Sequence, residues 1–253
     1  MILVFGGTTE GKQVAALLEE LQHTYLYSTK ASTKSVVKNT GAQVQGALDE
    51  HKMTNLCQDK NIRLIIDAAH PFAVVLHQTI FNVSCALNIP LTRFERKEEA
   101  RRAHPLVHYV AGYDEAIAAL RRIGSPTLLA LSGVQSIPYL SGYWQETVTW
   151  SRILDRAGSV ALAAHHQFPA ERLILGYPSV HVEEEEALYR RLKIGAVLTK
   201  ESGNSGGLMV KMKAATSAGI PIFIIKKPKL PAYDLVVNDT GELRQVLSKM
   251  GCL

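Results

Sequence analysis

Cysteine is scarce: Cys57, Cys85 and Cys252 are the only three in 253 residues, far apart and without a C-x-x-C pair. That argues against a disulfide framework and a cysteine-based zinc site, and for idle or buried thiols in a reducing compartment. No apolar run reaches the roughly 18 residues that a membrane span requires. A strand pattern starting at Ile2 leaves no room for a signal peptide, so a cytoplasmic protein with no membrane partner is expected. Dense Lys/Arg tracts are also missing, and a formal charge of +5 is mild. Nucleic acid is therefore not an expected partner, whereas a small acidic ligand suits the surplus.

With 47% hydrophobic and 20% charged residues, the chain has enough apolar side chain to bury a core. Its pattern alternates short apolar runs with amphipathic helical stretches. Ile2–Phe5, Thr24–Ser28, Arg63–Ala68 and Leu91–Phe94 read as strands, with a short one near Gln43–Gln45. Pro71 is expected at the first position of the helix that runs to about Leu87. The charged stretch Glu95–His104 marks a boundary. Beyond it, Val107–Val110, Thr127–Leu131, Val148–Leu154, Ala196–Thr199 and Ile222–Ile225 repeat the strand pattern. The expected architecture is α/β: two Rossmann-like domains, residues 1–100 and 101–253, with mainly parallel sheets facing across a cleft.

The first dozen residues, MILVFGGTTEGK, form strand, glycine turn and helix. Glycine permits a sharp turn and close backbone approach to a ligand, and the helix start offers free N–H groups to a phosphate. Gly6 and Gly11 fit the outer positions of a dinucleotide fingerprint, with Thr8 in the slot of its middle glycine. Gly6, Gly11 and Lys12 also fit a P-loop, although Gln13 replaces the hydroxyl that would hold magnesium. A plain strand-to-helix turn is the third reading. The second strand ends Tyr27-Ser28-Thr29-Lys30 without an acid; either this suits a 2′-phosphate and hence NADPH better than NADH, or Lys30 is simply a solvated loop lysine.

In open parallel sheets, ligands sit at the C-terminal ends of strands. Besides the first turn, those ends carry Asp67-Ala-Ala-His70-Pro71-Phe72, Arg93 with Arg96, Ser132-Gly133, Ser151-Arg152 and Lys200–Gly207. The set is rich in glycine and cations and has neither a Ser/His/Asp arrangement nor an H-x-x-x-H spacing; adjacent His165 and His166 are poorly spaced for one metal, so no metal is expected. His70 is a ligand contact or a core histidine. Arg93 and Arg96 suit carboxylates or form a solvated charge pair, and Lys200-Glu201-Ser202-Gly203 cradles an anion or is a charged loop.

GGTTEGK, DAAHPFA (67–73), TRFER (92–96), SRIL (151–154), LTKESGNSGG (198–207) and GIPIFIIKKP (219–228) together resemble the precorrin-6A and cobalt-precorrin-6A reductases, in that family's order over nearly the whole chain. Ala69 stands where the family commonly has threonine, and Leu131-Ser132-Gly133 where many members have T-T-G. The resemblance implies hydride transfer from NADPH, or NADH, to a conjugated double bond of a polycarboxylate tetrapyrrole in cobalamin biosynthesis. It implies that Gly6, Gly7, Thr8, Thr9, Glu10 and Gly11 hold cofactor phosphate and that Ser28 and Lys30 face its ribose. His70, Arg93, Arg96, Arg152, Lys200 and Ser202 would meet substrate, and His70, Lys200 and Glu201 are the catalytic candidates. A P-loop hydrolase or kinase and a non-catalytic dinucleotide sensor are the alternatives.

Overall fold

The computed structural model describes residues 1–30, 36–95, 100–124, 127–202 and 206–250. In chain order the elements are β1 Ile2–Phe5, α1 Thr9–Glu20, β2 Tyr25–Thr29, β3 Gly41–Gln45, α2 Glu50–Asp59, β4 Leu64–Asp67, α3 Val74–Leu87 and β5 Leu91–Phe94. They continue with β6 Val107–Val110, α4 Tyr113–Ile123, β7 Thr127–Leu131, α5 Ser141–Trp144, β8 Val148–Ile153, α6 Ala157–His165, β9 Leu173–Leu175 and α7 Val182–Arg191. The last are β10 Ala196–Lys200, α8 Leu208–Ser217, β11 Ile222–Ile225, β12 Leu235–Val237 and α9 Thr240–Lys249.

The strands form two six-stranded sheets, ordered β12-β5-β4-β1-β2-β3 and β6-β11-β10-β7-β8-β9. Every strand pairing in them is parallel. The first order is the doubly wound 3-2-1-4-5-6 arrangement, and the second differs from it only in that its outermost strand, β6, comes first in sequence, so the α/β Rossmann-like class expected from the sequence is what the chain adopts. The central strands are apolar without alternation because helices cover both faces; β1 and β4 are buried at every position. Val14, Leu17 and Leu18 of α1 pack on one face of the first sheet, and Met53, Cys57, Ile80 and Val83 of α2 and α3 pack on the other.

The first sheet takes its outermost strand, β12, from beyond the second unit, whereas β6 opens the second unit in sequence. β6 follows β5 in sequence but pairs with β11, whereas β12 follows β11 and pairs with β5. Accordingly, the compact units are Met1–Glu98 with Pro228–Leu253, and Glu99–Lys227. This corrects the expected assignment of all residues 101–253 to the second domain. A sequence boundary drawn on composition is blind to a strand that returns after more than a hundred residues. The returning segment is well anchored: Leu243 and Leu247 of α9 are fully buried in the core of the first unit, and the Asp234 carboxylate accepts the Leu91 N–H at 2.7 Å.

Truncating a fully buried leucine costs about 2–5 kcal/mol. Leu247→Ala should therefore speed amide hydrogen exchange in Leu91–Phe94 and leave Ile222–Ile225 protected, although the latter lie closer in sequence. Faster exchange confined to Ile222–Ile225 would contradict the strand assignment.

Candidate functional site

In the first unit the sheet order reverses between β1 and β4, and the crevice at their C-terminal ends is where such sheets bind ligands. The turn after β1 is built on Tyr27. A Cβ on Gly6 would lie 2.2 Å from the Tyr27 ring, and one on Gly11 would lie 2.7 Å from both Tyr27 Oη and Gly6 Cα. Glycine at both positions lets the ring slide beneath the turn and α1 approach β1. Gly7 has φ +89°, in the region that favours glycine, and its N–H donates to Tyr27 Oη at 3.0 Å. Thr8 caps α1: its Oγ1 accepts the Gly11 N–H at 2.9 Å and donates to the Ala68 carbonyl at 2.7 Å, tying the turn to the end of β4.

Gly7 and Thr9 are exposed at the start of α1, and Glu10 is half-buried in its first turn. This cradle fits the pyrophosphate of a dinucleotide, since it presents a helix start and a backbone with no side chain in the way. It does not fit a P-loop. The helix begins at Thr9, so Gly11 and Lys12 lie within it, and both Lys12 and Gln13 are exposed on its flank. At the end of β2, Lys30 is exposed whereas Ser28 is buried, so the expected ribose contact by Ser28 is not presented to solvent.

Beside the turn lies a buried polar cluster. Asp67, the last residue of β4, is fully buried; its Oδ1 accepts Arg93 Nη1 at 3.0 Å and the Ala69 N–H at 3.0 Å. Its Oδ2 lies 2.6 Å from His77 Nδ1 and accepts the Tyr233 hydroxyl at 2.8 Å. Burial would raise the Asp67 pKa, but the His77 hydrogen bond and the charges of Arg93 and His77 outweigh it and hold the carboxyl below its ordinary value. His77 Nε2 sits 3.0 Å from the His70 carbonyl, so both ring nitrogens face acceptors. The turn His70–Ala73 closes through an Ala73 N–H to His70 O bond of 2.8 Å. Helix α3 consequently starts at Val74 and not at Pro71, which lies in the turn.

These contacts sort the expected site residues. His70 is exposed, with its Nδ1 accepting the Phe72 N–H at 3.2 Å, and stands at the ligand end of β4. Arg93 does not stand free for a carboxylate: it is 2% exposed and paired with Asp67 and Glu95. Arg96 lies outside the described residues. In the second unit, Arg152 is likewise buried, with Nη1 2.5 Å from Glu185 Oε1. Glu201 is held by both arms of Arg101, at 2.7 and 2.9 Å, and by the Lys227 N–H, and the Arg101 hydrogen bonds keep its pKa low. It braces its loop as a carboxylate and is a poor proton donor. Lys200 is half-buried with Nζ 5.9 Å from the Tyr113 ring centre, and burial lowers its pKa. Ser202 packs where a Cβ on Gly206 would fall, which explains glycine there. Gly203 lies outside the described residues.

Sequence reading missed Tyr27, His77 and Tyr233. Tyr27 and His77 resemble ordinary strand and helix residues, and Tyr233 reaches Asp67 across 166 positions with no local signal. Among the described residues no cluster of His, Cys, Asp or Glu fits a metal, and no helix is long and apolar enough to cross a membrane.

The chain is similar to known proteins over most of its length. A family model described as precorrin-6x reductase CbiJ/CobK matches residues 1–248. A cobalt-precorrin-6A reductase of Methanocaldococcus jannaschii is 25% identical over 254 residues, 98% of each chain. One from Methanococcus maripaludis is 30% identical over 192 residues, 74% of this chain and 75% of that one. Among solved structures, CobK precorrin-6A reductase matches with a TM-score of 0.80 at 22% identity, covering 99% of this chain and 96% of that one, a likeness of fold.

Removing the Asp67 charge leaves the buried Arg93 guanidinium short of its buried anion, so Asp67→Asn should cost about 3–5 kcal/mol. The acid limb has a definite sign. A carboxyl with a lowered folded pKa stabilises fully above its unfolded value of 3.8 and loses that contribution as pH falls through the folded value. Thermal melts of the wild type should show this loss below about pH 4; in Asp67→Asn it should shrink. An equally steep acid limb in the variant would remove Asp67 as its source.

Proposed function

The chain belongs to the precorrin-6x reductase family, and from that premise we infer that it reduces a double bond of precorrin-6A or cobalt-precorrin-6A with NADPH. Relatives carry both names: the Methanocaldococcus jannaschii protein is a cobalt-precorrin-6A reductase and the Rhodococcus erythropolis one a precorrin-6A reductase. The observation that carries the cofactor reading is the Gly6–Gly11 turn seated on Tyr27 at the point where the sheet order reverses.

Bound there, a reduced nicotinamide supplies the hydride, and the product gains that hydride and one proton. The protein's part is placement. Thr8 and Thr9 offer backbone N–H groups to the pyrophosphate, Gly7 lets it approach without a side chain, and Lys30 offers its ammonium to the 2′-phosphate. Thr8 and Asp67 fix the turn relative to the end of β4, so that His70 stands at a defined place on the ligand edge. Water can deliver the proton to the reduced macrocycle, which leaves His70 and Lys200 in binding roles. Hydride transfer depends on holding two ring systems in contact, and such positioning accounts for several kcal/mol of barrier in well-ordered sites (about 7–11 at most).

The direct test is loss of NADPH absorbance on addition of precorrin-6A or its cobalt form. Oxidation of neither NADPH nor NADH by either macrocycle refutes the reading. Lys30→Ala should weaken NADPH about ten-fold and NADH hardly at all, the scale of one charge-assisted hydrogen bond. Equal losses would take Lys30 off the 2′-phosphate. Gly11→Ala should weaken both cofactors together, because its Cβ displaces the turn itself; unchanged affinities would show that the cradle lies elsewhere.

A further inference from the structure

The second sheet has a switch point of its own. Its order reverses between β7 and β10, so the ends of those two strands flank a ligand crevice. The turn that leaves β7 carries Ser132 and Gly133, and β10 ends at Lys200. Gly133 has φ +81°, and a Cβ on it would meet nothing within 4 Å, so space lies open over the turn. The Ser136 hydroxyl accepts that of Ser132 at 2.8 Å and donates to the Gly133 carbonyl at 2.6 Å, which closes the turn on itself.

Two 3-10 turns follow, Val134–Ser136 and Pro138–Leu140. Their apolar anchors are Ile137 and Leu140, each 1% exposed, and the Trp144 indole N–H donates to the Ile137 carbonyl at 2.9 Å. Between the anchors Tyr139 is turned outward and is 63% exposed. Its ring is nevertheless held. It lies parallel to the ring of Tyr113, the first residue of α4, with centroids 5.0 Å apart and planes within 4°. Tyr113 is half-buried, and Lys200 Nζ stands 5.9 Å from its ring centre. One strand edge thus carries an open glycine turn, a stacked pair of tyrosines and a lysine.

Stacking on Tyr113 covers one face of the Tyr139 ring and leaves the other to solvent. A flat aromatic face that is fixed before a ligand arrives gains stacking contact with a conjugated ring and loses little freedom in doing so. We propose that the outward face of Tyr139 is the stacking platform for the conjugated face of the tetrapyrrole substrate, with Tyr113 as the positioning residue behind it and Lys200 beside the pair for a carboxylate on the rim. The flat rings of the dinucleotide match this place less well. The turn beside Tyr139 leads into three-residue helical turns and not into a long helix whose start could hold the pyrophosphate. The proposal rests on the reductase reading above.

Tyr139→Ala, Tyr139→Leu and Tyr139→Phe test it in the intact protein. For Ala and Leu, the KM for precorrin-6A should rise about ten-fold with kcat little changed, the split expected when stacking in the ground state is lost. Phe keeps the flat face and should keep the wild-type KM. NADPH affinity should be unaltered in all three, and so should the melting temperature, because the side chain replaced is exposed. Binding of precorrin-6A to the protein without NADPH, followed by its visible absorbance, should weaken in Ala and Leu by the same factor as KM rises. An unchanged KM in Ala overturns the proposal. Wild-type KM in Leu also overturns it, since apolar bulk and not a ring would then be used. Loss in Phe equal to that in Ala assigns the effect to the hydroxyl and overturns stacking. Weaker NADPH binding with KM for the macrocycle unchanged overturns it too, because the ring bound would belong to the cofactor. Wild-type turnover of precorrin-6A or its cobalt form is the control: if it is absent, the reductase reading itself fails.

Discussion

A single buried carboxylate, Asp67, gathers four separate parts of the first unit. It binds Arg93 of β5, His77 of α3, the backbone of the turn that follows β4, and Tyr233 of the returning C-terminal segment. A charge withdrawn from water is tolerated only when opposite charges and hydrogen-bond donors surround it, so each of these groups is held as firmly as the carboxylate requires. The ligand edge inherits that order. Ala68 receives the Thr8 hydroxyl that fixes the glycine turn, and the His70 carbonyl lies against His77. The site is thereby positioned by elements from both ends of the chain.

The two units share a topology and have diverged in what their strand ends offer. Gly7 and Gly133 occupy matching turns and both have positive φ, yet the first turn starts a twelve-residue helix over Tyr27 while the second leads into short helical turns at Val134–Ser136 and Pro138–Leu140. A long helix whose start is presented to solvent suits phosphate. The second unit instead has Arg152 and Lys200 at its strand ends, the first buried against Glu185 and the second half-buried beside Tyr113. One fold thus carries two different sets of side chains at its strand ends, with local residues and not the sheet order deciding which.

Much of this was legible in the sequence. Strand and helix follow from periodicity, a property of neighbouring residues, and the β1 turn follows from glycines whose need is steric. The strand ends were found for the same reason: once strands are placed, their ends are placed. What misled was residue type taken as availability. Arg93 and Arg152 are strand-end arginines, as expected, but both are buried against carboxylates. Glu201 has the chemistry of an acid and spends it on Arg101. Whether a charged side chain is free depends on partners far away in sequence, and no spacing rule reports them.

The sequence by itself determined the alternation of strand and helix, the parallel α/β class and the place of the glycine turn, because these depend on local sterics and on hydrophobic patterns a few residues long. Tertiary structure alone decided two things: that β12 completes the first sheet and that Tyr233 closes on Asp67. Each is set by a contact between distant segments, and its energy comes from burial and charge pairing that exist only once the chain has folded.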